Sequence, residues 1–294
     1  MSLGVLNNLS ATYAENALNN TNSSLQTVLQ QLSTGSKINS GSDDPAGLAL
    51  VNGLEANQTA LTQSETNATE GVGLLQVADG ALSQVTSLLN RAVTLATEAS
   101  NGTLNTSQAT AANAEYTSIL GEIANIGATT TYNQTAVFGS TTEIYTGDSS
   151  TTGASTDTLS ISALSDAAVG NASSTVAYAA GAFTATNTAG QSLTGTDLTS
   201  TANSQTALND LNTAIADVSL QDGYVGSQIN TLNAVSSVES TQQENIQSAQ
   251  NAVQATDYAQ ATSNLSKYEI LSQTGISALA QANSVQQEVT KLLQ

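Results

Sequence analysis

Residues 271–292 read LSQTGISALAQANSVQQEVTKL and set Leu271, Gly275, Ala278, Ala282, Val285, Val289 and Leu292 at alternating steps of four and three. That spacing draws a narrow apolar seam along one side of a helix. More than two hundred residues earlier, Ala11, Ala14, Leu18, Thr21, Leu25, Val28 and Leu32 repeat it. A helix with so narrow a stripe cannot hide it alone, because most helical stability comes from packing and not from propensity. The two termini are therefore expected to pair along a seam of Leu18, Leu25 and Leu32 with Leu271, Ala278, Ala282, Val285 and Leu292. Small residues at Gly275, Ala278 and Ala282 would let a partner backbone come close.

Two further seams lie inside this pair. Leu75, Ala78, Leu82, Val85, Leu89, Ala92, Ala96 and Ala99 keep the same step, and Leu208, Leu211, Ile215 and Val218, then Val225, Ile229 and Leu232, repeat it, with Asp222 expected to interrupt the second run. Asn101-Gly102 offers a stop after the first, and a shorter helix over Glu115, Ile119, Glu122 and Ile126 precedes Thr129–Thr131. From Tyr132 to Thr199 the pattern turns to Thr, Ser, Gly and Ala. Glu143–Thr146 and Thr158–Ile161 read there as strands, with turns at Gly147-Asp148 and Gly153. The expected fold is mainly α: long antiparallel and coiled-coil helices from both termini, with a small β-rich insertion in the middle. A disordered stretch over 170–200 is the rival reading of that middle.

The chain's 39% hydrophobic content suffices for a core, but with 3% aromatics and no Trp that core is aliphatic, suited to helix contacts more than to a ligand pocket. Only Lys37, Arg91, Lys267 and Lys291 oppose 23 acidic residues, for a net charge of −19. Phosphate binding needs clustered cations, so nucleic acid is not an expected partner. No run of eighteen apolar residues is present, and membrane insertion is not expected. The uncharged start lacks the basic and apolar blocks of a secretory signal. With no His and no Cys, no metal or other cofactor is expected. In Ser42-Asp43-Asp44-Pro45 the carboxylates accordingly read as caps, and Pro45, the only proline, as the first position of a helix.

LSTGSKINSGSDDPAGLAL (32–50) resembles the N-terminal signature of bacterial flagellins, in which LS-x-G-x-x-IN-x-x-x-DD-x-AG recurs. GVGLLQVADGALSQV (71–85) and LLNRAVTLATEASNGT (88–103) are similar to that family's first long core helix. TTTYNQ (129–134) resembles its T-x-F-N-G turn, with Gln134 in place of glycine. ATDYAQATSNLSKYEILSQTGISALAQANSVQQEVTKLL (255–293) is similar to its last helix.

The resemblance implies a subunit that polymerises with copies of itself into the flagellar filament. It would be exported through the flagellar secretion channel without a cleaved signal peptide, and located outside the cell. It implies an inner terminal coiled-coil domain (1–45 with 255–294), a helical core domain with β-hairpins (46–170 with 200–254) and a short outer insertion (171–199). A flagellar export chaperone, the filament cap and hook-junction proteins would be its other partners. The hook-filament junction protein of the same system is the alternative; the ALAQAN block (278–283) and Leu292-Leu293 follow the filament pattern instead. Some relatives carry a zinc peptidase, which needs an HExxH helix that a chain without His cannot supply. An animal Toll-like receptor senses the family through a helix patch whose matching positions are Arg91, Leu95 and Glu115. Val93 and Thr94 replace charged residues common around it, and the same positions equally suit packing between subunits.

Overall fold

The computed structural model describes residues 8–147, 156–179 and 182–292. It consists of α1 (Leu9–Thr34), α2 (Pro45–Ser100), α3 (Thr106–Thr129), six strands, α4 (Thr201–Gln254) and α5 (Tyr258–Leu292). Two compact units divide it, Met1–Ala56 with Ile246–Gln294, and Asn57–Asn245.

The first unit holds α1 and α5. Asn8 caps α1, its Oδ1 accepting from the Ala11 N–H at 3.1 Å. The helix stops at Gly35, which takes the left-handed φ of +73° while its N–H bonds the Gln31 carbonyl. Pro45 does open α2, and Asp44 Oδ1 accepts from the N–H groups of Ala46 and Gly47 at 3.1 and 2.9 Å. Asp43 works backwards, its Oδ2 accepting from Asn39 N–H at 2.9 Å and Ser40 N–H at 2.8 Å. Those backbone donors hold the Asp43 carboxyl below the usual range.

In the second unit the seam from Leu75 to Ala99 is buried along its whole length. An apolar window of α2 with mean hydropathy 1.2 has the length and composition of a bilayer span. Leu74, Leu75, Ala78, Leu82, Val85 and Leu89 of this helix are buried core residues. On α4 the buried line is Ala207, Leu211, Ala214, Val218, Gln221, Val225, Gln228 and Leu232, while Leu208, Ile215 and Ile229 pack half-buried beside it. Asp222, where the apolar run was expected to break, is exposed and leaves the buried line, while the helix itself continues through it. Gln221 occupies the core position instead, its Nε2 donating to the Ser162 carbonyl at 3.3 Å, so the polar side chain is accommodated without a break. α3 adds Tyr116, Ile119, Leu120 and Ile123. Gly127 in its last turn lies so close to Leu164 that a β-carbon would overlap that residue's carbonyl oxygen.

The middle is β-structured. β1 (Thr131–Tyr132) and β2 (Thr135–Ala136) form a tight hairpin whose turn residues, Asn133 at φ 46° and Gln134 at φ 65°, are both left-handed. That is a type I′ turn, which favours Asn followed by Gly. Gln134→Gly should therefore stabilise the subunit by about 0.5 kcal/mol, the relief of a left-handed side chain less the entropy a glycine adds to the unfolded chain. A raised urea midpoint with unchanged slope checks it; a lowered midpoint would show that Gln134 earns its place through contacts.

A four-stranded sheet follows in the order β3-β4-β6-β5, comprising β3 (Thr141–Tyr145), β4 (Thr156–Ser160), β5 (Val169–Ala179) and β6 (Ala182–Gln191). Neighbours pair antiparallel except β4 with β6, which are parallel over Thr156↔Ala182 and Asp157↔Phe183. The disordered reading of 170–200 fails, since β5 and β6 are the longest strands of the sheet. Thr and Ser hydroxyls across the helices mostly fold back on the carbonyl four residues earlier, as in Thr62, Thr66, Thr94 and Thr97 of α2. Of the turns expected at Gly147-Asp148 and Gly153, Gly147 lies in a bend, while Asp148 and Gly153 fall in 148–155, outside the described residues.

Candidate assembly interface

α1 and α5 run antiparallel. Leu18 lies against Gly275, where an added β-carbon would sit 3.2 Å from Leu18 Cδ1. Ser272 Oγ donates to Asn22 Oδ1 at 3.2 Å, and Asn8 Nδ2 to the Ala282 carbonyl at 3.0 Å. At the other end the chain passes leaving α1 and entering α5 are clipped together. Lys37 N–H donates to the Gln254 carbonyl at 2.8 Å and Thr256 N–H to the Gly35 carbonyl at 3.0 Å, around a bridge between Ser36 and Ala255. Asp257 then caps α5, accepting from the N–H groups of Ala259 and Gln260.

On α1 the face turned from solvent comprises Ala11, Ala14, Leu18, Thr21, Leu25, Val28 and Leu32, with Val28 buried and the rest half-buried. On α5 it comprises Ala261, Leu265, Tyr268, Ser272, Gly275, Leu279 and Ala282. Leu271, Ala278 and Val285 are not on it: all three are exposed, Leu271 by 42% and Val285 by 40%. Two heptads overlap on this helix and share Gly275 and Ala282. Ala261, 4% exposed at the start of α5, sets the phase, and the helix follows it through Ser272 and Leu279. The second heptad is left as an apolar stripe of Leu271, Ala278 and Val285 beside the paired face. The side chains of Val289 and Leu292, like residue Leu293, lie outside the described part of the structure. Leu9 and Tyr13 on α1 are also exposed, by 63% and 68%.

The second group of candidate residues divides. Arg91 and Glu115 come together, Nε and Nη2 of the guanidinium each 2.7 Å from Glu115 Oε1, with both side chains about half exposed. This is the one ion pair among the described residues, and an exposed pair is worth at most about 1 kcal/mol. Leu95 does not join them. It is 4% exposed, a core side chain of α2, because its position continues the buried stripe.

Carboxyl groups missed by the sequence reading are buried in the second unit without a cation. Asp157 on β4 is 1% exposed, and neither carboxyl oxygen has a hydrogen-bond partner among the described residues. Burial pushes it up to about 6. Glu239 on α4 accepts a short bond from Ser64 Oγ through one oxygen while the other is unpartnered, and burial raises it too. Asp222 is raised by burial and by the neighbouring Asp79 carboxyl. Asp197, which accepts from Thr199 and Asn203 ahead of α4, is lowered by those bonds. Among the described residues no three His, Cys, Asp or Glu side chains converge as a metal site would need.

The terminal helices thus pair with each other within the chain and leave an open apolar stripe beside the seam. Residues 5–143 match the bacterial flagellin N-terminal helical region and 208–293 the bacterial flagellin C-terminal helical region. A flagellin of Listeria monocytogenes is 31% identical over 279 residues, 94% of each chain. Flagellin A of Vibrio anguillarum is 38% identical over 132 residues, 45% of this chain and 35% of that protein. The crystal structure of Bacillus cereus flagellin superposes with a TM-score of 0.45 at 25% identity, over 59% of this chain and 88% of that one. The chain belongs to the bacterial flagellin family. It is a structural subunit of the flagellar filament, outside the cell, in a family whose role is structural.

Proposed function

We propose that α1 and α5 form the inner wall of the filament and that the stripe of Leu271, Ala278 and Val285 packs against neighbouring copies. The observation that carries this is the exposure of that stripe beside a face already paired within the chain. A helical polymer supplies such partners through heterologous contacts that do not close. In this reading residues 1–45 with 255–294 are the inner domain, 46–170 with 200–254 the surrounding shell, and 171–199 the outermost part. Before assembly the stripe would be held by a flagellar export chaperone on the way to the secretion channel. The filament cap and hook-junction proteins would meet it at the two ends of the polymer. Arg91 and Glu115 serve packing between subunits in this reading. Recognition by an animal Toll-like receptor is the second reading, left with those two residues once Leu95 is buried.

A chain ending at Val253 tests the proposal, since it removes α5 and leaves the core of Asn57–Asn245 whole. Circular dichroism should show a folded helical protein and sedimentation no polymer. Filaments of normal length from that chain would place the assembly contact elsewhere.

A further inference from the structure

β5 ends the sheet. Val169, Gly170 and Asn171 at its start are buried, Gly170 against the backbone of Asp217 and Val218, but from Ala172 to Ala179 β6 is the one strand paired with it among the described residues, and the other side of this stretch is taken by no strand. Proteins protect such edges with charged side chains, proline, bulges or brevity, because an open edge takes up another strand. Here there is a single irregularity at the base, between Asn171 and Ser173, where Asn171 Oδ1 accepts from Ser173 N–H at 3.2 Å and Thr188 N–H at 3.1 Å. Beyond it the pairing runs regularly from Ser173 to Ala179. Ala172, Ser173 and Thr175 are exposed.

The charge pattern says what fits there. Residues 167–196 contain no Asp, Glu, Lys, Arg or Pro, a longer uncharged run than 16–36 in α1 or 270–287 in α5. In a chain of net charge −19, two copies repel wherever their carboxylates face each other, and this run is free of that repulsion. A main-chain edge asks of its partner a strand of similar reach and no like charge, and β5 of another copy meets both demands.

We propose that the β5 edge docks β5 of a second copy of this chain, antiparallel, so that one sheet continues across two subunits. Such a contact is two-fold symmetric, whereas neighbours within one filament are related by the helical operation, so it joins subunits of filaments lying side by side. It is separate from the terminal helix pair and goes beyond the filament reading.

Because the chain has no cysteine, Thr175→Cys supplies a single thiol on the edge. Facing residues of paired strands lie within the Cα separation a disulfide spans. Oxidised Thr175→Cys filaments should give covalent dimers at about ten times the yield of Thr103→Cys, an exposed loop control, equivalent to a factor of ten in local association. The double variant Ser173→Lys, Thr175→Lys should still form single filaments but lose their lateral association, read as low-speed pelleting and by electron microscopy. Equal dimer yields from the two cysteine positions, or side-by-side association undiminished in the lysine variant, would overturn the proposal. The same oxidation on unassembled subunits separates the two ideas: a wild-type chain that forms no filaments counts against the filament reading, while Thr175→Cys dimers still score the edge.

Discussion

The unassembled subunit should become more stable as the pH falls from 7 to 4, against the usual behaviour of proteins whose carboxylates are held ionised. Burial pushes Asp157 up to about 6 in the folded chain against an ordinary value of 3.8, so between those values the folded form binds a proton that the unfolded form releases. Its contribution is complete below about 3.8 and is lost as the pH rises through 6. At about 1.4 kcal/mol per pKa unit, neutralising this one group is worth about 3 kcal/mol. For a chain of this size that corresponds to an unfolding midpoint higher by roughly 6–12 °C. Glu239 and Asp222 are shifted the same way and add to it. Asp43 and Asp197 are shifted down, so their contributions disappear only in stronger acid, as the pH falls below the ordinary carboxylate range. Thermal unfolding at pH 7, 5.5 and 4 measures the trend, and Asp157→Asn should raise the midpoint at pH 7 while flattening its pH dependence. A midpoint that drops between pH 7 and 5, or an Asn variant with an unaltered slope, would mean that Asp157 is not a buried proton-binding group.

The second large effect concerns assembly. Ala282→Glu should cut polymer yield by at least about tenfold, because Ala282 is half-buried on the face toward α1 and a carboxylate there finds no cation. Thr186→Glu, on an exposed position of β6, should leave filaments intact. Yield of pelletable filament per subunit, with monomer helicity as a control for folding, compares the two. Equal losses would place assembly determinants in the β-structured middle instead of the termini.

Much of this architecture was readable from residue spacing, and the departures have physical causes. The α1 seam is legible because its apolar residues occupy one phase only. On α5 two phases are available, since Gly275 and Ala282 belong to both, and it took Ala261 and the clip at Ser36 and Ala255 to select the one using Ser272 and Leu279. Asp222 looked like an interruption because a heptad count expects an apolar residue nearby, whereas Gln221 fills that place, its Nε2 bonded to the Ser162 carbonyl and its Oε1 without a partner among the described residues. The lengths of β5 and β6 were not legible. Their Ser, Thr, Ala and Gly residues leave little apolar alternation, so these strands are recognisable only by their pairing. Leu95 was assigned by likeness to a surface patch, but its spacing from Ala92 and Ala99 already places it beside the buried stripe of α2. Asp157 was passed over because a lone carboxyl in a Thr-rich segment carries no spacing signal, and its isolation exists only once β4 is packed.

The hydroxyls folded back onto their own helices carry a mechanical consequence. A Thr or Ser bonded to the carbonyl four residues earlier competes with the backbone for that acceptor and loosens the local turn, which lets a helix bend. Thr62 and Thr66, and Thr94 and Thr97, place such weakened turns at separate points along α2, and Thr206, Thr213 and Ser219 do so along α4. Surface ion pairs spanning successive turns would brace a helix against flexure, and Arg91 with Glu115, the pair seen here, joins α2 to α3 instead of bracing either. Each long helix is thus a row of soft joints in series, and a tube assembled from such helices would yield to curvature by small equal adjustments along its length instead of kinking at one point.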